Sequence, residues 1–96
     1  MKKIILDFDN VTSVREAHDY IASKMNFPDY YGKNLDALYD SLTEIGNEVY
    51  VKIINCDLLD EVENSIVNVF WDAEIENDML YVEVERKRTG NEDRTS

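Results

Sequence analysis

The 96 residues predict a single α/β domain in which a three-stranded parallel sheet is packed with helices. Three observations support that class. Short runs rich in β-branched and aromatic residues, at 3–6, 49–54 and 80–85, are separated by segments with helical periodicity. Strands separated in this way favour parallel pairing through crossovers. Apolar residues make up 44% of the chain, enough for one modest core at this length, and no apolar run is long enough to span a bilayer.

The elements follow in order. Residues 3–6, Lys-Ile-Ile-Leu, form a short apolar run that ends in the polar Asp9-Asn10 turn. Ser13 and Glu16 have the spacing of a capping box and start a helix. Val14, Ala17, Ile21 and Met25 supply its apolar stripe. Pro28 ends any continuation. Tyr30-Tyr31-Gly32 predicts a turn in which Gly32 is free to take a positive φ. Asn34 is an N-cap for a second helix running to about Glu44, stopped by Gly46-Asn47. Residues 49–54 read as the best strand. Asn55-Cys56-Asp57 opens a helical stretch that runs, with a break near Asp60, to about Glu76. Ile66, Val69, Phe70 and Ala73 form its apolar face. In the last strand Leu80, Val82 and Val84 alternate with Tyr81, Glu83 and Glu85. Residues 1–87 form the domain, and 88–96, polar and aperiodic, read as a disordered charged tail.

The formal net charge is −11 and its distribution is uneven. Up to Glu85 there are six basic and 19 acidic residues; beyond it there are four basic and two acidic. A field of that sign repels nucleic acid and anionic membrane and attracts basic proteins. The N-terminus begins like a secretory leader, but Asp7 and Asp9 interrupt it and no cleavage site follows. Cys56 is unpaired, which excludes an internal disulfide. These features point to a cytoplasmic protein. Cys56 reads as a small residue packed at a strand end. A zinc site using it and His18, the only histidine, would need carboxylates to complete it, so no metal or cofactor is expected.

Three constellations could carry chemistry. Asp7-Phe8-Asp9, after an apolar strand, resembles the nucleophile motif of haloacid-dehalogenase-type phosphatases, in which one aspartate attacks phosphorus and carboxylates hold magnesium. That family needs a larger domain, a later lysine and a further acidic pair, and Asn10 stands at its usual glycine. A solvated strand end explains the two aspartates more simply. Asp57, Asp60, Glu61 and Glu63 form a charge run without the fixed spacing of a calcium loop and read as solvent-facing. The helix after Asn34 is more informative. Leu35, Leu38, Leu42 and Ile45 make a buried stripe, whereas Asp36, Asp40, Thr43 and Glu44 make an exposed acidic one. Only Asp36, in the first turn, gains from the helix dipole. Tyr30 and Tyr31 directly precede the helix, and exposed aromatics beside carboxylates suit a protein interface. From the residues alone, an ordinary acidic helix and a binding surface for a basic partner both remain open.

Residues 27–43, Phe-Pro-Asp-Tyr-Tyr-Gly-Lys-Asn-Leu-Asp-Ala-Leu-Tyr-Asp-Ser-Leu-Thr, resemble the signature segment of the barstar family. These are intracellular inhibitors of secreted, barnase-type ribonucleases. The resemblance implies a barstar-like sheet and a non-enzymatic monomer that forms a 1:1 complex with a basic ribonuclease. It implies that Asp40 is the central anion, replacing a substrate phosphate, and that Asp36 pairs with a neighbouring cation. Tyr30 would pack over the catalytic histidine, with Tyr31 beside it. Gly32 and Asn34 would let the backbone approach closely and offer hydrogen bonds, Leu35 would belong to the same contact, Thr43 would edge it, and Asp72 would match a glutamate on the last helix. Three positions depart from the pattern. Lys33 stands where the best-known member has an acidic residue, Tyr39 replaces a tryptophan, and Asp72 is one methylene short. An immunity protein of the same fold, directed against another basic toxin, is the alternative implied.

Overall fold

The structure is a computed structural model that describes residues 1–55 and 61–85. Its element order is β1 (Lys2–Asp7), α1 (Val14–Met25), α2 (Leu35–Thr43), β2 (Val49–Ile54), α3 (Glu61–Glu76) and β3 (Leu80–Glu85). The sheet order is β1-β2-β3 and both pairings are parallel, with Ile4 opposite Val51 and Val51 opposite Val82. The expected α/β fold with a three-stranded parallel sheet is therefore present. The expectations for Cys56, for Asp57 and Asp60, and for the tail lie outside the described residues, as do those for the side chains of Glu61 and Glu63.

Strand alternation sorts the sheet into two faces. Ile4, Leu6, Val49, Val51, Ile53 and Leu80 point inward and are buried with Ile21 of α1, Leu38 and Leu42 of α2, and Ile66 and Phe70 of α3. On the opposite face, polar pairs cross between strands. Tyr50 donates to Glu83, Lys52 pairs with Glu85 at 3.1 Å, and the Lys3 ammonium lies 5.6 Å from the centre of the Tyr50 ring. The outer strands carry side-chain acceptors on backbone donors. Tyr20 Oη accepts the Asp7 N–H at 2.8 Å, and Glu74 Oε2 accepts the Val82 N–H at 2.8 Å. Both bonds blunt strand edges that would otherwise offer unpaired donors.

The helix ends follow their local chemistry. Ser13 caps α1 by accepting the Glu16 N–H at 3.1 Å. Glu16 reaches back to the N–H and hydroxyl of Thr12, both at 2.9 Å, one residue beyond the usual capping-box partner. The Thr12 bonds hold the Glu16 carboxyl below its ordinary range. Asn26, with φ of 61°, ends α1 in the left-handed conformation. Val14 proves to be 47% exposed, and His18 takes the expected place of Val14 in the buried stripe with Ala17, Ile21 and Met25. An N-terminal helix residue has no preceding turn to cover it.

Two buried polar residues tie the helices together. Asn77, directly after α3, donates from Nδ2 to the carbonyls of Leu42 and Ile45, each at 3.0 Å, and its Oδ1 accepts the Met79 N–H at 2.9 Å. It thereby satisfies orphan carbonyls at the C-terminal end of α2 and fixes α2 against α3. His18 is only 1% exposed, and its Nδ1 lies 2.6 Å from the Tyr31 hydroxyl oxygen. That contact joins α1 to the segment preceding α2. Tyr31 also packs on Phe27, with ring centres 5.1 Å apart. Burial pushes the Tyr31 hydroxyl up to about 12 and lowers His18 below its ordinary value of 6.5, an effect that the Asp19 charge partly opposes.

Two measurements test these anchors. Asn77→Ala removes the side-chain donor to the Leu42 and Ile45 carbonyls and the acceptor of the Met79 N–H, and is expected to cost about 1–3 kcal/mol in urea unfolding. For His18, the unfolded ring takes a proton near pH 6.5 while the folded ring resists until a lower pH. Stability should therefore be flat above neutrality, fall as pH drops through 6.5, and level off below the folded value. Urea titrations between pH 8 and pH 5 should show this slope in the native chain and lose it in His18→Gln. Losses from the lowered carboxyls of Asp7, Glu16 and Asp19 belong to a separate and more acidic window.

Candidate functional site

Asn34 opens α2 from an extended backbone, its Oδ1 accepting the Ala37 N–H at 2.7 Å. Its side-chain amide reaches back toward the Gly32 carbonyl at 3.4 Å. A cap this well formed fixes the direction of the helix axis at its first turn. Asp36 lies in that turn, where the helix dipole favours a negative charge. Asp40 and Glu44 follow at one-turn intervals, and all three residues are exposed. The last turn of α2 holds no basic residue. Among the described residues the ion pairs are Lys33–Asp19 and Lys52–Glu85, so the α2 carboxylates make none with a described partner. Like charges at this spacing repel by a few tenths of a kcal/mol per pair. The stripe is a local electrostatic cost.

The flanks of α2 show what borders the stripe. Ser41, Glu44 and Ile45 line a shallow cleft of about 260 Å³ whose other wall includes Met25, Pro28 and Tyr30. That flank therefore faces the end of α1. Tyr39 and Thr43 fall on the opposite flank of the helix and are half-buried, and Asn77 from the end of α3 bonds to the backbone carbonyls at the helix end. On α3, Glu74 bonds to β3, so its flank faces the sheet edge. Asp72 and Glu76 lie off that flank and are exposed. Asp36, Asp40 and Glu44 share the exposed side of α2, and Tyr30 lines the same cleft as Glu44.

Tyr30 is 87% exposed and places a full aromatic ring beside the acidic stripe. Tyr31 does not. It is 8% exposed, with its hydroxyl on His18, so the expectation of two exposed tyrosines is corrected to one. Two adjacent residues in a turn point to different sides, and the one with a buried hydrogen-bond partner goes inward. Leu35, assigned to the buried stripe, is 39% exposed at the N-terminal edge of the face. Gly32 lacks the positive φ expected of it, and Lys33 adopts φ of 57° instead. A Cβ at Gly32 would meet the Ala37 Cβ at 3.2 Å, so close approach to the first turn of α2 explains the glycine.

The alternative constellation at the end of β1 is occupied by structural bonds. Asp7 Oδ1 accepts from Asn55 Nδ2 at 2.8 Å and from the Asp9 N–H at 3.0 Å. The Asn55 bond is the larger cause holding the Asp7 carboxyl below its ordinary range. Asp7 thus stitches β1 to the end of β2. Among the described residues, no group of three or more His, Cys, Asp or Glu side chains is arranged to hold a metal ion. No helix among them is long and apolar enough to cross a membrane.

Comparison with known proteins agrees with this architecture. A Bacillus subtilis (strain 168) protein named "Putative ribonuclease inhibitor YrdF" is 51% identical over 43 residues. The shared stretch covers 45% of this chain and 47% of that relative, so the match spans about half the length of each. The family described as Barstar (barnase inhibitor) matches residues 1–79, which include every described element except β3 and the whole of the acidic face. With the parallel β1-β2-β3 sheet and the capped acidic helix in place, the extent of that match shows that this chain belongs to the barstar family.

Proposed function

We propose that this chain is a non-catalytic inhibitor that binds and blocks the active site of a basic, barnase-type ribonuclease. In this reading it acts in the cytoplasm as one copy per enzyme. The observation that carries the proposal is the row of carboxylates on α2, exposed, rigidly capped and without described ion partners, beside the exposed ring of Tyr30. Membership of the barstar family and the printed name of the Bacillus subtilis relative support it.

The physical argument concerns what an RNA-cleaving site must offer. Such a site gathers cations to hold phosphates, and only another anion can replace water around them at low cost. Asp40 and Asp36 present charge at one-turn spacing on a helix whose direction is set by Asn34, and they contain no phosphodiester bond to cleave. Asp40 is assigned the central phosphate position and Asp36 a neighbouring cation. Tyr30 covers the catalytic histidine. Gly32, Asn34 and Leu35 form the close backbone edge, Thr43 the border, and Asp72 the outlying anion. The net charge of −11 draws a basic partner in over long range.

The reading predicts opposite effects on folding and on binding. Asp40→Ala removes like-charge repulsion and a weak helix former, so stability should stay level or rise by about 0.5 kcal/mol. Affinity for a barnase-type ribonuclease should fall by about 2–5 kcal/mol, because the facing cations remain desolvated and unpaired. Inhibition of RNA hydrolysis and urea unfolding, measured on the same preparations, check both. Parallel losses of stability and affinity would remove Asp40 from the interface. Inhibition of a different basic toxin, with no effect on the ribonuclease, would redirect the proposal to the immunity-protein alternative.

A further inference from the structure

Lys33 is the cation nearest in sequence to the acidic helix, and a basic partner ought to be repelled by it. The structure turns its charge elsewhere. Lys33 Nζ lies 2.8 Å from Asp19 Oδ1 on α1, and each of the two side chains is about half exposed (47% and 50%). The Lys33 ammonium is the main cause holding the Asp19 carboxyl below its ordinary range.

The backbone at Lys33 is also unusual. Its φ of 57° lies in the left-handed region, which L-residues with long side chains seldom occupy. Such a conformation persists only where its surroundings over-determine it. Here three contacts bracket the position. Tyr31 bonds to His18 at 2.6 Å, Lys33 to Asp19 at 2.8 Å, and Asn34 to the first turn of α2 at 2.7 Å. His18 and Asp19 are consecutive residues of α1, so one turn of that helix grips the segment twice. Between the grips lies Gly32, where an added Cβ would meet the Ala37 Cβ at 3.2 Å.

We propose that Lys33 is a positioning residue of the inhibitory face. Its ion pair with Asp19 fastens the turn between Tyr30 and α2 to α1 and withdraws its own charge from the approaching partner. This rests on the inhibitor reading of the α2 face. Lys33 therefore supports binding through Asp19 although its sign opposes that of the surface it adjoins.

The sign of a substitution separates the two ideas. Lys33→Asn keeps a residue tolerant of the left-handed region and removes a positive charge. If Lys33 acts only through the long-range field, that change should speed association with a basic ribonuclease and tighten binding. If it positions the turn, dissociation should quicken by about two- to fivefold, the range open to an exposed ion pair. Asp19→Asn should do the same, and the double variant should be no worse than either single. The charge-exchanged pair Asp19→Lys with Lys33→Asp should restore slow dissociation. Stopped-flow binding to a barnase-type ribonuclease provides the rates. Amide hydrogen exchange at residues 31–34 of the free chain provides a second readout, expected to accelerate in both single variants while the urea midpoint holds. Unchanged exchange overturns the proposal whatever the kinetics, and so does faster exchange with unaltered dissociation. A native chain that leaves the ribonuclease active sinks the inhibitor reading, and exchange in the free chain then still decides whether Asp19 holds the turn.

Discussion

Burial of Tyr31 against His18 is the contact on which the candidate face depends. A tyrosine hydroxyl taken out of water needs a partner, and a neutral imidazole at 2.6 Å supplies one. The ring cannot leave without exposing that partner, so the chain must enter the turn beside α1. From there Gly32 passes close to Ala37, Asn34 reaches its capping position, and α2 begins. Tyr30, the preceding residue, is directed outward as a consequence. The exposed aromatic ring and the start of the acidic helix are thus two results of one buried hydrogen bond.

At its other end α2 is held by a different device. Asn77 supplies donors to carbonyls that a helix terminus leaves unsatisfied, and it comes from the end of α3. The helix carrying Asp36 and Asp40 is therefore fixed at its N-terminus by its own cap and by α1, and at its C-terminus by α3. A rod held at both ends can present mutually repelling carboxylates without fraying. Its buried side, Leu38 and Leu42, contributes apolar burial that exceeds a repulsion of a few tenths of a kcal/mol per pair. The electrostatic cost stays on the surface, where a partner of opposite sign would reverse it.

Other parts of the surface contrast with this face. On the outer side of the sheet, charged and aromatic residues are matched across strands, as with Lys52 and Glu85 or Tyr50 and Glu83. At the end of β1, Asp7 is consumed by Asn55 and the Asp9 amide. Some acidic side chains close bonds of the fold; those of α2 close none with described residues, and neither do Asp29, Glu48 and Asp78 elsewhere on the surface.

Much of the fold was legible in the sequence because its signals are local. Capping residues at Ser13 and Asn34, the alternation from Leu80 to Glu85, and the spacing of Leu38 and Leu42 each act within a few residues. The exposed positions of Asp36 and Asp40 followed from that same periodicity. What the sequence could not reveal depended on partners distant along the chain. Tyr31 goes inward because His18 waits 13 positions earlier, and Lys33 takes the left-handed conformation in place of Gly32 beside Asp19. Short-range periodicity and capping determined the elements and the acidic stripe. The choice among neighbouring side chains was left to tertiary contacts because each is settled by a partner that local sequence does not name.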